Sequence, residues 1–143
     1  KGLYFTMSSG ITCTDECVEA FNDLKLKHSA KYLLFAMSDD LTQIDLIETG
    51  AKDGKYEDFL EKLPENDCRY GIFDYEFNDD GRDQSKILFI VWAPDTAKIK
   101  QKMLYTSSKD GLRRKLVGIA TEIQATDIDE VVVEAVMDQI HRK

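Results

Sequence analysis

Apolar residues recur along this chain at two spacings, one typical of helices and the other of strands. The helical spacing predicts amphipathic helices over residues 14–27, 56–63, 98–116 and 127–140. Dense or alternating apolar runs predict strands over residues 32–37, 43–46, 68–77, 87–92 and 121–124. The order of these segments predicts a sheet with helices packed against it.

The relation between neighbouring segments predicts the kind of sheet. The runs at 32–37 and 43–46 lie on either side of a short turn and indicate an antiparallel hairpin. The run at 87–92 is continuous enough for a central strand that is buried on both faces. The helix and strand that follow it indicate a crossover between parallel strands. We therefore predict an α/β (α+β) fold, with a mixed sheet sandwiched by helices.

Length and composition indicate one domain over residues 7–143. The 143 residues, 43% of them hydrophobic, suffice for a single core, and no linker or repeat divides them. Residues 1–6 are expected to be a leader outside this domain. Met7 fits a native start, and the preceding Leu3-Tyr4-Phe5 resembles part of a protease tag more than a packed element.

The predicted long helix has an apolar side and a cationic side. At about 100° per residue, the core side takes Leu104, Tyr105, Ser108, Leu112 and Leu116. The opposite side places Ile99 and Met103 among Lys98, Lys102, Lys109, Arg113 and Arg114. An apolar centre ringed by cations is typical of a binding surface. The alternative is a solvated basic face with a stray methionine.

Signals along this helix also predict its ends and its shape. The Pro-Asp-Thr sequence at 94–96 supplies a start, with Asp95 or Thr96 as the cap, and Gly118 supplies a stop. Ser107, Ser108 and Gly111 predict a curve or kink near the middle, because Gly and Ser pairs are common sites of bending.

Charge is concentrated on the same helix. Between Lys98 and Lys115, seven basic residues and one acid, Asp110, give +6. The rest of the chain has 12 basic and 26 acidic residues, or −14, for a net charge of −8. This separation favours an acidic partner, whereas the negative total argues against general nucleic-acid binding. Asp110 has a second interpretation, as a local ion-pair partner of Arg113 or Arg114.

The sequence offers little support for an enzyme, a metal site or a membrane span. It has no apolar run near 18 residues and no signal-peptide pattern, so a soluble intracellular protein is expected. Cys13, Cys17 and Cys68 do not match a secreted disulfide framework, and His28 and His141 do not complete a metal site. Without a phosphate loop or nucleophile elbow, we expect neither catalysis nor a cofactor.

Several strings of this chain resemble the actin-depolymerising factor (ADF) and cofilin family. They are Ser9-Gly10-Ile11, Asp67-Cys68-Arg69-Tyr70-Gly71-Ile72-Phe73-Asp74, Trp92-Ala93-Pro94-Asp95 and the Lys102–Asp110 segment KMLYTSSKD. The resemblance runs from about Ser8 to Ile140. It implies the ADF homology fold, binding to actin monomers and filaments, accelerated filament disassembly, and a place in the actin cytoskeleton of the cytoplasm.

The resemblance also assigns residues to two surfaces. The monomer-binding surface is implied to contain Ser9, Gly10, Ile11, Lys100, Lys102, Met103, Arg113 and Arg114. The filament-side surface is implied to contain Arg82, Lys86, Asp138 and Arg142. Ser9 is further implied to be a site of inhibitory phosphorylation, with Ser8 as a nearby alternative acceptor.

This chain departs from the family pattern at the second surface. Asp83 and Gln84 occupy positions where strongly severing relatives often have cations, and Gln139 occupies a position that is often arginine. Fewer cations weaken attraction to an acidic filament and make it more sensitive to salt. We therefore predict firm monomer binding with weak filament-side binding and poor severing.

Other binding functions on the same fold stay open. A coactosin-like protein would bind filaments without severing them, and a glia-maturation-factor-like protein would bind the branch-nucleating complex. Ser9-Gly10-Ile11 together with Lys100, Lys102 and Met103 favours cofilin proper. The same cations would also attract phosphoinositide headgroups, in competition with actin. The protein is expected to act as a monomer.

Overall fold

A computed structural model describes residues 4–142 of the chain. Within these residues the strands are β1 (Tyr4–Thr6), β2 (Thr12–Thr14), β3 (Tyr32–Met37), β4 (Gln43–Thr49), β5 (Arg69–Asp79), β6 (Arg82–Trp92) and β7 (Thr121–Ala125). The α-helices are α1 (Asp15–Lys27), α2 (Tyr56–Glu61), α3 (Ile99–Lys115) and α4 (Val133–His141). A short 3-10 helix at Ile128–Glu130 precedes α4.

The strands form one mixed sheet in the order β1-β2-β4-β3-β5-β6-β7. β2 is parallel to β4 and β6 is parallel to β7, whereas the other neighbouring strands are antiparallel. Helix α3 connects β6 to β7, so it is the crossover that the sequence predicts for a parallel pair. The predicted mixed sheet and the β3–β4 hairpin are both confirmed.

The longest pairing in the sheet joins β5 and β6. It runs from Arg69 opposite Trp92 to Asp79 opposite Arg82. Asp80 and Gly81 make the turn, with φ values of 54° and 83°. Left-handed values at both positions match a type I′ turn, for which Asp-Gly is a favoured pair because its twist suits antiparallel strands. The local sequence therefore fixes the tip and the register of this hairpin.

Helices cover both faces of the sheet, and each face has its own core. α1 and α3 pack on one face, where Phe21, Leu24, Tyr105 and Leu112 are fully buried. α2 and α4 pack on the other face, around an aromatic cluster that includes Tyr56, Phe59 and Phe73. Residues of β6 alternate between the two cores, which confirms a central strand buried on both sides.

The leader differs from its prediction. Tyr4–Thr6 form an edge strand that pairs antiparallel with Thr12–Thr14, and Phe5 packs against the α1/α3 core. The expectation that the leader lies apart from the packed domain is therefore wrong for residues 4–6. Residues 1–3 lie outside the described part of the chain.

The last helix begins at Val133, later than the predicted start at residue 127, where Asp127 and Glu130 form a capping box. The Glu130 carboxylate accepts the Asp127 backbone N–H at 3.0 Å, so the box itself is present. It caps the 3-10 turn at Ile128–Glu130, and α4 begins only at Val133. Ile128, which lies in the first turn of the predicted helix, is consequently 41% exposed.

Helix α3 begins close to the predicted position but with a different N-cap residue. Neither Asp95 nor Thr96 caps it, because the Thr96 hydroxyl instead donates to the Glu65 carbonyl at 2.8 Å, and Lys98 occupies the N-cap position. The helix then runs as one α-helix through Ser107, Ser108 and Gly111 to Lys115. The bend predicted there stays a prediction. Gly118, with φ of 115°, follows the end of the helix, as expected.

Candidate functional site

Two buried tyrosines hold α3 in a single orientation on the sheet. The Tyr105 hydroxyl accepts the backbone N–H of Met37 in β3 at 2.7 Å. The Tyr70 hydroxyl of β5 in turn donates to the Tyr105 carbonyl, and the two ring centroids are 4.8 Å apart. Burial raises the pKa of Tyr105 to about 12, so its hydroxyl stays protonated at neutral pH. These contacts fix the rotation of α3 about its own axis.

That rotation decides which residues of α3 reach solvent. Tyr105, Ser108, Leu112 and Leu116 are at most 1% exposed, whereas Ile99 is 73% exposed and Met103 is 65% exposed. Leu104 lies between these extremes. The wheel prediction is therefore confirmed for both sides of the helix. We call the exposed side, formed by Lys98, Ile99, Lys100, Lys102, Met103 and Arg114, the cationic face.

Two cations that the helical wheel places on this face, Lys109 and Arg113, are paired with carboxylates. Glu122 on β7 contacts Arg113 at 2.6 Å and Lys109 at 3.0 Å, and Asp110 contacts Lys109 at 3.1 Å. Asp110 therefore pairs with Lys109, and its predicted pairing with Arg113 or Arg114 is wrong. Lys102 is half-buried, and its ammonium donates to the Asp95 carbonyl at 3.2 Å. Lys98, Lys100 and Arg114 are exposed.

The N-terminal turn, residues 7–11, lies beside the middle of α3. The Met7 N–H donates to the Ile11 carbonyl and the Gly10 N–H to the Met7 carbonyl, each at 2.9 Å. Gly10 has φ of 89°, which favours glycine there. The Ser9 and buried Ser108 hydroxyls are 2.9 Å apart and hydrogen bonded. This bond ties the exposed Ser9 to α3.

A close contact between Met7 and Gly111 brings the turn onto the helix. A Cβ atom on Gly111 would lie 3.0 to 3.1 Å from the Met7 side chain, so glycine permits this approach. Ile11 is 4% exposed and belongs to the core. Its buried side chain anchors the turn, and the place of Ile11 on the monomer-binding surface stays a prediction.

The residues of the second predicted surface come from two elements that meet in space. His141, at the end of α4, lies 3.9 Å from Asp79 of the β5–β6 hairpin, and its ring packs edge-on against Phe77. We call the area around Arg82, Lys86, Asp138 and Arg142 the hairpin-tip surface. Arg142 forms an ion pair with Asp138 at 2.9 Å, so its charge is partly neutralised.

The charge balance of the hairpin-tip surface is close to zero. Residues 79–86 and 138–142 together contain four carboxylates, Asp79, Asp80, Asp83 and Asp138, and three cations, Arg82, Lys86 and Arg142. The Asp83 carboxylate accepts a hydrogen bond from Asn78 at 3.1 Å. This surface is therefore much less cationic than the exposed side of α3.

The described residues give little support for other site chemistry. Over residues 4–142, no three His, Cys, Asp or Glu side chains are grouped so that they could hold a metal ion. Cys68 is buried, and desolvation raises its pKa to about 11, so its thiol is a poor nucleophile at neutral pH. None of the helices in the described part of the chain is long and apolar enough to cross a membrane.

Comparison with known proteins identifies the family. Residues 10–141 match the family described as cofilin/tropomyosin-type actin-binding protein. The match covers nearly the whole chain, and the protein therefore belongs to this family. The resemblance seen in the sequence and the ADF homology fold inferred from it are confirmed.

Individual relatives align over nearly their full length. Actophorin from Acanthamoeba castellanii is 51% identical over 131 residues, which are 92% of this chain and 95% of actophorin. Cofilin from Schizosaccharomyces pombe is 50% identical over 135 residues, or 94% and 98% of the two chains. The crystal structure of Streptomyces griseoflavus cofilin has a TM-score of 0.86 at 44% identity, covering 93% of this chain and 98% of that one.

Sequence reasoning missed the residues that support the candidate site from beneath. The helical wheel predicts that Ser108 lies in the core, but it contains no information on the hydrogen bond to Ser9. Glu122 gave no local signal, because its partners lie nine and thirteen positions earlier on a different element. The sequence indicates Met7 only as a native start, whereas in the structure its side chain packs against Gly111. Each of these contacts depends on how α3 docks on the sheet.

The environment of Glu122 predicts how stability depends on pH. Desolvation acts to raise the pKa of Glu122, but hydrogen bonds from Lys109 and Arg113 outweigh it, so the pKa lies below its ordinary value. A carboxyl of this kind contributes stability above its unfolded-state pKa, about 4.3, and the contribution is lost as pH falls through the lower folded-state pKa. Glu122→Gln is therefore expected to lose less stability than the unmodified protein on acidification.

Urea unfolding near neutral pH and at a pH of about 3 measures this difference. Glu57→Gln is the matched control, since Glu57 is exposed on α2 and the change removes one carboxyl far from Glu122. The control should keep the acid dependence of the unmodified protein. An equal loss of free energy of unfolding in Glu122→Gln and the control would contradict the prediction.

Proposed function

We propose that this protein binds actin monomers and filaments and promotes filament depolymerisation. The observation that carries the proposal is the cationic face of α3, where exposed Ile99 and Met103 lie among exposed cations in a protein of net charge −8. The relatives named actophorin and cofilin, at about half identity over nearly the whole chain, support the same activity.

The geometry suggests how an actin monomer is held. Met103 is an unbranched, flexible side chain that fits irregular apolar clefts, and Ile99 lies one helical turn before it on the same side. Lys98, Lys100 and Arg114 would meet carboxylates around such a cleft and speed the encounter. Truncating a buried apolar anchor typically costs about 2 kcal/mol of binding energy, whereas rim charges mainly change the association rate.

The N-terminal turn would form the second part of the monomer-binding surface. Ser9 and Gly10 are exposed beside α3, so a partner that covers the middle of the helix would also contact them. A phosphate on Ser9 adds close to two negative charges at an anionic partner's surface. It would also displace the hydrogen bond between Ser9 and Ser108. Both effects support inhibition by phosphorylation.

The hairpin-tip surface would contact filament sides only weakly. Its four carboxylates offset its three cations, and Arg142 is already paired with Asp138. Attraction to an acidic filament is correspondingly small. We therefore propose poor severing, with turnover promoted mainly through depolymerisation and monomer handling.

The same surfaces bear on the oligomeric state of the protein, its location in the cell and the ligands that compete with actin. The protein would work as a monomer in the cytoplasm, with the actin cytoskeleton, and without catalysis or a cofactor. Phosphoinositide headgroups would compete for Lys98, Lys100 and Arg114, because phosphates are attracted to the same cations.

Two alternative functions on this fold predict different results. A coactosin-like protein would pellet with filaments and leave their disassembly unchanged. A glia-maturation-factor-like protein would bind the branch-nucleating complex without binding actin.

The first test removes two cations from the cationic face. Lys100→Ala with Lys102→Ala is expected to abolish monomer and filament binding and to leave thermal unfolding native-like, since neither truncation opens a core cavity. Pelleting with actin filaments, with the supernatant monomer measured alongside, detects both activities. Lys52→Ala with Lys55→Ala removes the same charge from the exposed loop before α2 and should bind normally. Unchanged actin affinity in the first variant would contradict the proposal.

The second test concerns Ser9. Ser9→Glu is expected to weaken monomer binding more than Ser9→Ala, because both variants remove the Ser9 hydroxyl that bonds to Ser108 and only the first adds a negative charge. Binding to fluorescently labelled actin monomers gives the two affinities. If Ser9→Glu binds as tightly as the unmodified serine, Ser9 is not an inhibitory site of this kind.

The third test restores charge at the hairpin-tip surface. The triple variant Asp83→Lys, Gln84→Arg and Gln139→Arg is expected to increase the severing frequency of single filaments under the microscope. Monomer affinity should not change, because none of these positions lies on α3 or in the N-terminal turn. An unmodified protein that already severs as efficiently as a cofilin with both basic clusters, or a triple variant without effect, would refute weak filament-side binding.

A further inference from the structure

Glu122 joins two cations of α3 to the edge strand of the sheet. One carboxylate oxygen accepts from the Arg113 guanidinium at 2.6 Å, and the other lies 3.0 Å from the Lys109 ammonium. The Gln124 amide donates to the second oxygen at 3.4 Å. The side chains of Glu122 and Lys109 are 13% and 16% exposed, whereas that of Arg113 is 40% exposed. Arg113 is therefore held at its inner side and open to solvent at its outer side.

The sheet register explains why Glu122 is in this position. It pairs with Phe89 of β6, whose side chain belongs to the α1/α3 core, so Glu122 points to the side of the sheet that carries α3. Ile123, the next residue, belongs to the opposite core. β7 follows α3 directly along the chain, and this brings the carboxylate under the last turns of the helix.

We propose that Glu122 is a positioning residue for actin-monomer binding, which fixes Arg113 in the orientation that a partner carboxylate meets. The inference rests on the proposed function. A guanidinium has five N–H donors, so an Arg113 that bonds to Glu122 keeps donors free on its exposed side. An arginine already held in place loses less side-chain freedom on binding than a free one.

Loss of the carboxylate would affect Arg113 more than Lys109. Asp110 still lies 3.1 Å from the Lys109 ammonium and keeps that residue paired, whereas the described residues give Arg113 no other carboxylate within ion-pair distance. Arg113 would then become a mobile, uncompensated cation. A mobile cation increases long-range attraction to an acidic partner, but it holds the bound partner less well.

Association and dissociation rates of actin monomers with the full chain test this role. Glu122→Gln should raise koff by about fivefold, raise kon at low salt, and make kon fall more steeply with added salt. Glu122→Asp keeps the charge and should recover part of the slow dissociation. Glu57→Gln changes the net charge equally on the opposite side of the sheet and should leave koff unchanged.

A double-mutant cycle separates positioning from simple stabilisation. If Glu122 acts through Arg113, adding Glu122→Gln to an Arg113→Gln protein should change koff by less than about twofold. Equal koff values for Glu122→Gln and the unmodified protein, or the same increase in both backgrounds, would overturn the inference. If the unmodified chain binds no actin monomers at all, the proposed function fails first and this role of Glu122 fails with it.

Discussion

The hydrogen bond from the Met37 N–H to the Tyr105 hydroxyl is the contact on which the candidate site depends. Both groups are buried, so breaking this bond would leave a polar atom without a partner in the core. Tyr70 adds a second bond to the Tyr105 carbonyl. A helix held only by apolar contacts could rotate or slide by small amounts, whereas these directional bonds allow one orientation. The exposure of Met103 is thus a consequence of where Tyr105 is held.

The packing of α3 against the sheet also balances part of the charge of this helix. A helix with seven cations among the residues from Lys98 to Lys115 would repel itself if all of them were free. Glu122 and Asp110 neutralise Lys109 and Arg113 on the side that meets β7. Lys98 and Lys100 before this pair, and Arg114 and Lys115 after it, stay exposed. The helix therefore has a compensated inner edge and an uncompensated outer face, and only the latter can attract an acidic partner at long range.

Periodicity predicted what depends on one element, and it failed where distant residues compete. The exposed side of α3 followed from its helical wheel, because a long amphipathic pattern leaves little choice of buried side. The N-cap of α3 could not be predicted in this way, since the Thr96 hydroxyl bonds to the Glu65 carbonyl instead of capping the helix. The burial of the Ile11 side chain likewise depends on tertiary packing and not on a local pattern. The Glu122 ion pairs need the sheet register, which no local pattern contains.

Strand β6 runs from the hairpin-tip surface toward the start of α3. Its first residue, Arg82, lies at the hairpin tip, and its last, Trp92, leads through Pro94 into α3. The eleven residues of the strand, at about 3.3 Å per step, place Arg82 and Trp92 roughly 33 Å apart, about four Debye lengths at physiological salt. β6 is buried between two cores from Ile87 onward and cannot bend independently of them. Charge at Arg82 is therefore largely screened from the start of α3, whereas Lys86 lies only three residues before Phe89, which pairs with Glu122. The start of the cationic face is thus less exposed than Arg113 to changes of charge at the hairpin-tip surface.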